Sequence, residues 1–372
     1  MEIHQLIDTA APGDAIMNDA LALRAQLRQV TPSLIICDRS AHPGLEPEIV
    51  PTAAFARSRR TSGTRSVDDV LIVHASIGNE SLHQFVMSRP ERLLIRYHNI
   101  TPSSYFRAQN PFFADLLDLG REHLAELVER SIGAVAASAF NAAELVDLGM
   151  PADRVRVVPP LFPYDGFAAG ARQGPRSWAT PYDGTAGGCG PRILFVGQAL
   201  PHKRADLLVE AYHVLLTHLD PRARLRVIGP VRNEGYATAV YQLADDLRVP
   251  IDFAGSVSQP VLEQAYREAH VLVTMSEHEG FCVPIVEAMA AGLPVVARRF
   301  GAVPETLGAG DEAGGLLLDP DDDAFVIAEA INTVCSDEDL RESLAARGRL
   351  RAERFAPAQA SQRFLAALTE LL

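Results

Sequence analysis

The stretch SEHEGFCVPIVEAMAAGLPVV, residues 276–296, carries the strongest structural signal in this sequence. It continues an apolar run, HVLVTMS (270–276), that is typical of a strand buried in a parallel sheet. Pro284 suits the first position of a helix, and Gly292 suits its C-terminal cap. We therefore expect a strand, a short turn and then a helix over 285–291.

The turn before this helix brings amide groups and carboxylates together. The backbone N–H groups of Phe281, Cys282 and Val283 would lie at the helix N-terminus, where unsatisfied donors and the helix dipole favour phosphate oxygens. Glu279 and Glu287 flank the turn, and each carboxylate can accept hydrogen bonds from vicinal hydroxyls, one pair on a sugar and one on a ribose. This combination describes a nucleotide-sugar site. The spacing alone leaves a solvated acidic loop open as the alternative.

Short apolar runs and helical stretches alternate on both sides of this stretch, which is typical of parallel, doubly wound sheets. In the second half the runs are RILFVG (192–197), ARLRVIG (223–229), IDFAG (251–255), LPVVAR (293–298) and GGLLLD (314–319). In the first half they are SLIICD (33–38), DVLIVHA (69–75), RLLIRYH (92–98), GAVAAS (133–138) and RVRVVP (154–159). Ligands of such sheets bind where strands end, so residues that follow the strands are the candidates.

A change in composition separates the two halves. Residues 166–190 contain seven glycines and two prolines without periodicity, which indicates a linker. We predict a first domain over 1–165, a second over 191–356 and a last helix over 357–372, with the first long helix over 18–30.

Composition bounds the function. The chain has 372 residues, 34 Lys+Arg against 47 Asp+Glu, a net charge of −13, 48% hydrophobic residues and 22% charged residues. These are globular values, and the acidic balance argues against nucleic acid as the main partner. The start shows no signal peptide and no apolar run is long enough to cross a membrane, so we expect a soluble cytoplasmic protein. The four cysteines are scattered, as in buried, reduced thiols, and no metal motif is present.

The sequence resembles the retaining family 4 glycosyltransferases of the GT-B fold. In the second half the resemblance rests on Glu279-x7-Glu287, then on FVGQALPHKRADLLVEAY (195–212), FAGSVS (253–258) and GAVPETLG…GGLLLDPDD (301–322). In the first half PGDAIMNDALALR (12–24), RYHNITPSSYF (96–106) and SAFNAAELVDLG (138–149) are similar to a bacterial subgroup that acts on cell-surface glycans. The resemblance implies an α/β protein with two Rossmann-like domains facing a cleft. The first domain would bind the acceptor and the second the donor, and the last helix would cross back onto the first domain.

The resemblance also implies roles for donor-side residues. Glu279 would bind hydroxyls of the transferred sugar, Glu287 would bind the ribose, and Lys203 would neutralise the leaving diphosphate. The remaining predicted donor contacts are backbone or polar groups, namely those of Gly280, Phe281, Cys282, Val283, Gln198, Gly229, Gly255 and Val257. Gln198 stands where the family usually has arginine, which removes a permanent cation that Lys203 or Arg204 would replace. A surface lysine is the alternative for Lys203.

On the acceptor side the strand-end histidines are the candidates. His98 would position the donor's sugar hydroxyls or phosphate, and His74 ends the neighbouring strand in the same way, with a structural role as the alternative for both. Gly13 would let the backbone approach a ligand, unless Asp14 simply caps the first helix. The basic run that contains Arg57, Arg59, Arg60 and Arg65 suggests peripheral contact with an anionic membrane or a lipid-linked acceptor, or else a solvated loop.

The predicted reaction is transfer of a hexosyl group, with mannosyl as one option, from a nucleotide sugar to a glycan or lipid-linked acceptor, without metal or other cofactor. We expect front-face transfer, with a leaving-phosphate oxygen taking the acceptor proton. The alternatives are a GT-B epimerase or phosphorylase, and a non-catalytic sugar-nucleotide-binding subunit, which Gln198 suggests. A dinucleotide-binding oxidoreductase is excluded because the dense glycine cluster at 184–190 precedes a strand instead of following one.

Overall fold

The chain forms two compact units. The computed structural model describes residues 1–11, 14–40, 49–61, 67–164, 166–168 and 190–372. The first unit comprises Met1–Phe162 together with Pro357–Leu372, and the second comprises Pro163–Ala356. Most of the predicted linker, 166–190, lies outside the described residues.

The first unit is built on a parallel sheet. Its described residues form seven strands in the order β5-β3-β1-β6-β7-β8-β9, and β2 pairs with β4 beside them. The strands are β1 Ile3–Leu6, β2 Thr9–Ala10, β3 Ile35–Ile36, β4 Arg39–Ser40, β5 Ile49–Val50, β6 Val70–Ala75, β7 Arg92–Tyr97, β8 Gly133–Ala136 and β9 Val155–Val157. The helices are Ala15–Leu27, Thr52–Thr61, Glu80–Met87, Pro111–Arg130, Ala139–Asp147 and Pro357–Leu371.

The second unit repeats this architecture with different strand order. Its described residues form six parallel strands in the order β12-β11-β10-β13-β14-β15. They are β10 Arg192–Val196, β11 Arg224–Ile228, β12 Ile251–Gly255, β13 Val271–Thr274, β14 Val295–Arg298 and β15 Gly315–Leu318. The helices are Ala205–Val214, Glu234–Asp246, Gln259–Glu268, Val283–Ala290, Val303–Leu307, Ala324–Ser336 and Glu338–Ala352. Two parallel sheets with intervening helices confirm the predicted α/β class and its two Rossmann-like domains.

The burial of the strands explains their continuous apolar runs. Every residue of β6 and of β13 is buried, as expected where helices cover both faces of a parallel sheet. The final helix belongs to the first unit because Phe364 and Leu368 pack into the same core as Val70 and Leu94. Each fully buried side chain of this size stabilises the fold by about 1.5–3 kcal/mol.

The ends of two helices follow from single residues. Asp14 accepts hydrogen bonds from the N–H groups of Ile16 and Met17, at 2.9 and 3.2 Å, so the first helix begins at Ala15 and not at residue 18. The capping role weighed for Asp14 is therefore confirmed. Gly292 adopts φ +67° directly after the capping residue of the helix Val283–Ala290, a left-handed conformation that glycine accommodates best.

The cysteines of the described residues form no disulfide bond. Cys37, Cys282 and Cys335 are buried and free, whereas Cys189 lies outside the described residues. Across the described part of the chain, no helix combines the length and the apolar character needed to cross a membrane.

Candidate active site

The carboxyl ends of the strands of the second unit carry the predicted donor residues. Gln198 follows β10, Gly229 follows β11, Gly255 ends β12, and the turn 275–282 connects β13 to the helix Val283–Ala290. Because all these strands are parallel, these positions meet at one edge of the sheet. Val257, two residues beyond β12, is partly buried near this edge, as is Gln198.

The turn after β13 is held in a defined shape by long-range hydrogen bonds. The N–H of Glu277 donates to the carbonyl of His202 at 2.8 Å, and the carbonyl of Glu279 accepts from the N–H of Ala302 at 2.9 Å. Gly301 lies so close that a Cβ there would overlap the backbone of Glu279. Gly301 was not predicted as a site residue, although it opens the motif GAVPETLG.

The helix itself begins at Val283, two residues before the predicted start at 285. Cys282 adopts a left-handed conformation, φ +70°, and the helix starts at Val283, so Pro284 occupies its second position. Phe281 is buried and packs edge-on against Phe355, with ring centres 5.5 Å apart. The turn and the helix N-terminus are therefore rigidly joined to the core of the unit, and Gly280 lies in the same turn, partly buried.

Glu279 and Lys203 form an ion pair. The ammonium of Lys203 donates to the Glu279 carboxylate at 2.7 Å, and Glu279 is only 7% exposed. Burial by itself lowers the pKa of Lys203, but the neighbouring carboxylate outweighs it and the net shift is upward. Glu279 is therefore not a solvated carboxylate, and the Lys203 side chain is 20% exposed. A partly buried ammonium thus compensates a buried carboxylate.

Arg204 is occupied by other carboxylates. It adopts φ +50° after the turn Pro201–Lys203, and its guanidinium donates to Asp206 at 3.1 and 3.2 Å and also to Glu277. Arg298, which the sequence analysis missed, donates to Glu277 at 3.1 Å from β14. The guanidinium of Arg204 is thus ion-paired with Asp206 and Glu277. Lys203 is the cation that contacts Glu279, the predicted sugar-binding carboxylate.

Glu287 has a single strong partner. The hydroxyl of Tyr266 donates to its carboxylate at 2.7 Å. Burial raises the pKa of Glu287 to about 7, and the hydrogen bond from Tyr266 acts in the opposite direction. Tyr266 was not identified from the sequence, since its helix, Gln259–Glu268, shows only an ordinary amphipathic pattern. One side of the Glu287 carboxylate is therefore fixed, which leaves acceptor capacity for another donor.

Gly229 and Gly255 both have positive φ angles. Gly229 has φ +152°, and a Cβ there would overlap the carbonyl oxygen of Gly197. Gly255 has φ +62°, and its carbonyl accepts from the N–H of Gly229 at 2.9 Å. The two glycines bring neighbouring strand ends into close backbone contact.

The first unit contains a second polar cluster, at the ends of β6 and β7. Asp19 and Arg96 are fully buried, and two nitrogens of Arg96 donate to the carboxylate at 2.8 and 3.2 Å. Burial alone would raise the pKa of Asp19, but the guanidinium outweighs it and lowers that pKa. His74 and His98 are joined through their ring nitrogens at 2.9 Å, and Nε2 of His98 lies 3.6 Å from Asp19. Arg96 lies within the apolar run RLLIRYH, and a charged residue at such a position indicates a buried ion pair.

Asp19, His74 and His98 offer three ligand atoms within 4.8 Å of one another, a spacing that a metal ion accepts. The chemistry of the site is less suitable. The carboxylate of Asp19 is already bonded to Arg96 and to the N–H of Leu161 at 2.6 Å. A cation placed here would face the positive guanidinium at close range.

Some predicted residues cannot be placed in the same way. Gly13 and Arg65 lie outside the described residues. The helix Thr52–Thr61 contains positions 57, 59 and 60, and Arg57 is exposed. Membrane contact through this basic run remains a prediction.

Comparison with known proteins agrees with this geometry. Residues 187–351 match the family model of glycosyl transferases group 1. The D-inositol 3-phosphate glycosyltransferase of Kineococcus radiotolerans is 33% identical over 252 residues, which cover 64% of this chain and 56% of that protein. The enzyme of the same name from Geodermatophilus obscurus is 32% identical over 260 residues, 68% of this chain and 54% of its own length. This chain thus spans about half the length of these relatives.

Solved structures share the fold over the whole chain. Anabaena Alr3699/HepE in complex with UDP and glucose superposes with a TM-score of 0.75 at 17% identity, covering 99% of both chains. Sucrose-phosphate synthase from Thermosynechococcus elongatus has a TM-score of 0.75 at 18% identity, covering 100% of this chain and 99% of that one. At such low identity these structures establish the fold alone, the two-domain GT-B fold. Residues 187–351 are therefore similar to glycosyl transferases group 1, and the fold is GT-B.

Proposed function

We propose that this protein is a retaining glycosyltransferase that moves a hexosyl group from a nucleotide sugar, bound by the second unit, to a hydroxyl of an acceptor. The observation that carries the proposal is the ion pair between Lys203 and the buried Glu279, 2.7 Å apart, beside the N-terminus of the helix that also carries Glu287. A carboxylate for sugar hydroxyls and a second carboxylate for ribose thus occur within one segment, and a cation for phosphate contacts the first of them from the turn Pro201–Lys203.

In the proposed reaction the bond between the anomeric carbon and the diphosphate oxygen breaks while the acceptor oxygen bonds to the same face of that carbon. The acceptor proton passes to the departing phosphate oxygen. Negative charge grows on the diphosphate, where the Lys203 ammonium and the amides of Phe281, Cys282 and Val283 would stabilise it. Glu279 would bind sugar hydroxyls and would not act as a nucleophile.

The ion pair also keeps the site electrically balanced when no nucleotide sugar is bound. Glu279 compensates the Lys203 ammonium, which uses one of its three N–H groups in that contact and keeps two for phosphate oxygens. Because the protein supplies this cation, we propose that the reaction needs no metal ion. Transfer in the presence of EDTA at an unchanged rate is the expected result.

The acceptor has two candidate classes. The similarity to enzymes named for D-inositol 3-phosphate favours a phosphorylated polyol, whereas the first-half motifs favour a glycan or lipid-linked acceptor. An acceptor panel that includes D-inositol 3-phosphate separates the two. Rapid turnover without any acceptor would support an epimerase, and nucleotide binding without turnover would support a binding subunit.

The test uses the full chain with UDP, GDP, ADP and dTDP sugars, and measures release of nucleoside diphosphate. Glu279→Ala is expected to reduce transfer about 100-fold or more while nucleotide binding persists. Nucleotide at 100 times its dissociation constant should still stabilise this variant by about 2.7 kcal/mol in thermal unfolding. Glu329→Ala, which removes an exposed glutamate from the helix Ala324–Ser336, is the matched control. Wild-type transfer rates in Glu279→Ala would contradict the site assignment, and an inverted anomeric product would contradict retention.

A further inference from the structure

A continuous chain of buried polar side chains runs from β1 to His98 in the first unit. Gln5, on β1, is fully buried and contacts Nε2 of His74 through its amide oxygen at 3.0 Å. Nδ1 of His74 contacts Nε2 of His98 at 2.9 Å. The ring planes differ by only 14° and the ring centres are 5.1 Å apart, so the two nitrogens face each other edge to edge. The proposed transfer reaction assigns nothing to Gln5 or His74.

The direction of these hydrogen bonds is determined by one backbone carbonyl. The Gln5 amide contacts the carbonyl oxygen of Ala20 at 3.0 Å, and a carbonyl only accepts, so the NH2 group must face Ala20. The amide oxygen of Gln5 therefore faces His74, whose Nε2 must carry a proton and donate. A neutral His74 then has a bare Nδ1, which accepts from Nε2–H of His98.

Both rings are neutral in this environment. Burial lowers the pKa of His74 to about 4, and burial also holds the pKa of His98 well below its usual range. Asp19, the nearest carboxylate, does not reverse this because Arg96 and the N–H of Leu161 already compensate it. Asp19 also lies 3.6 Å from Nε2 of His98, on the side where the chain places the proton.

We propose that Gln5 and His74 are positioning residues that hold His98 in the Nε2–H tautomer, so that its Nδ1 is an acceptor for a substrate hydroxyl and not a donor to phosphate. Among the described residues Nδ1 has no hydrogen-bond partner, and the His98 side chain keeps 7% of its surface exposed where β7 ends. An unprotonated imidazole nitrogen accepts a hydrogen bond from a hydroxyl and repels a phosphate oxygen. The inference rests on the proposed function only for the identity of the ligand.

The tautomer is measured directly in the protein without substrate. Long-range 15N–1H correlation spectra of the side chains distinguish protonated from bare ring nitrogens, and His98→Gln assigns the His98 signals. At pH 7.5 we expect His98 and His74 to be protonated at Nε2 and bare at Nδ1, with about a tenfold excess of that tautomer or more. Addition of inorganic pyrophosphate should leave Nδ1 of His98 bare. A His98 ring protonated at Nδ1, with or without pyrophosphate, would overturn the proposal.

Variants of His74 test whether the chain sets the tautomer. His74→Leu removes the acceptor and should enlarge the Nδ1–H population of His98, although Asp19 still favours Nε2–H, whereas His74→Asn keeps an acceptor oxygen near the former Nδ1 and should retain the wild-type spectrum. His4→Leu, which removes another buried histidine from β1, is the control for general loss of packing. An unchanged His98 spectrum in a folded His74→Leu protein would contradict a positioning role. These spectra need no activity, so their outcome is separate from that of the Glu279→Ala transfer assay.

Discussion

Removal of the Tyr266 hydroxyl should make nucleotide binding depend on pH in a new range. The hydroxyl donates to the Glu287 carboxylate at 2.7 Å and so favours its ionised form, although burial raises the pKa of this group to about 7. A hydrogen bond to a charged group contributes about 1.5–3 kcal/mol, or about one to two pK units. In Tyr266→Phe the pKa of Glu287 should therefore rise to about 8–9. At pH 7.5 its ionised fraction falls from about three quarters to about one tenth.

Because a carboxylate accepts ribose hydroxyls more strongly than a carboxylic acid, nucleotide affinity should follow this ionised fraction. We expect Tyr266→Phe to bind nucleoside diphosphate about eightfold more weakly at pH 7.5, with the difference disappearing above about pH 9.5. Wild-type affinity should fall as the pH drops below 7, when Glu287 becomes protonated. Isothermal titration calorimetry from pH 6 to pH 9.5 gives both curves.

Tyr212→Phe is the matched control, since it removes a buried hydroxyl of the same unit that lies 3.0 Å from the carbonyl oxygens of Ala223 and Pro250 and shares its single proton between them. This variant should show the wild-type pH profile. A loss in Tyr266→Phe that is equal at every pH would show that the hydroxyl acts through packing. A wild-type affinity that is independent of pH would refute the role of Glu287 ionisation.

Three further predictions concern the ion pair of the first unit and two features of the second. Arg96→Met leaves Asp19 buried without its partner and should destabilise the protein by about 3–5 kcal/mol, measured by urea unfolding; a loss below about 1 kcal/mol would contradict the compensation argument. Gly229→Ala should abolish nucleotide binding and lower the melting temperature strongly. Gly255→Ala places its Cβ in open space and should lower the free energy of unfolding by only about 1–2 kcal/mol. Equal effects of the two variants in thermal unfolding would contradict this expectation. Gln198→Arg should raise the transfer rate about tenfold by adding a permanent cation, and unchanged steady-state kinetics would place residue 198 away from the diphosphate.

Local patterns of the sequence were sufficient for the elements and for their order. Continuous apolar runs predict buried parallel strands, and β6 and β13 are buried throughout. Gly292 marks the end of its helix because few other residues adopt φ +67° without strain. The first helix was predicted three residues late, since the pattern of apolar residues was weighed above the Asp14 cap.

The same patterns also identified the segment where the candidate site lies. The spacing of Glu279 and Glu287 around a helix start does not depend on the rest of the fold, because one turn and one helix contain both residues. The burial of these two carboxylates does depend on the rest of the fold. A solvated loop and a buried carboxylate have the same local sequence, and the choice is made by Lys203, which is 76 residues away.

By itself, then, the sequence determined the α/β class, the succession of strands along the chain and the segment with both carboxylates, since each of these elements is encoded in its own local pattern. Only the tertiary structure decided which side chains meet. Tyr266 reaches Glu287, and Gln5 reaches His74 from 69 residues away, because the order of parallel strands places distant segments side by side. These contacts determine protonation and tautomer, which depend on burial and on the partner's donors, and neither is a property of a local sequence pattern.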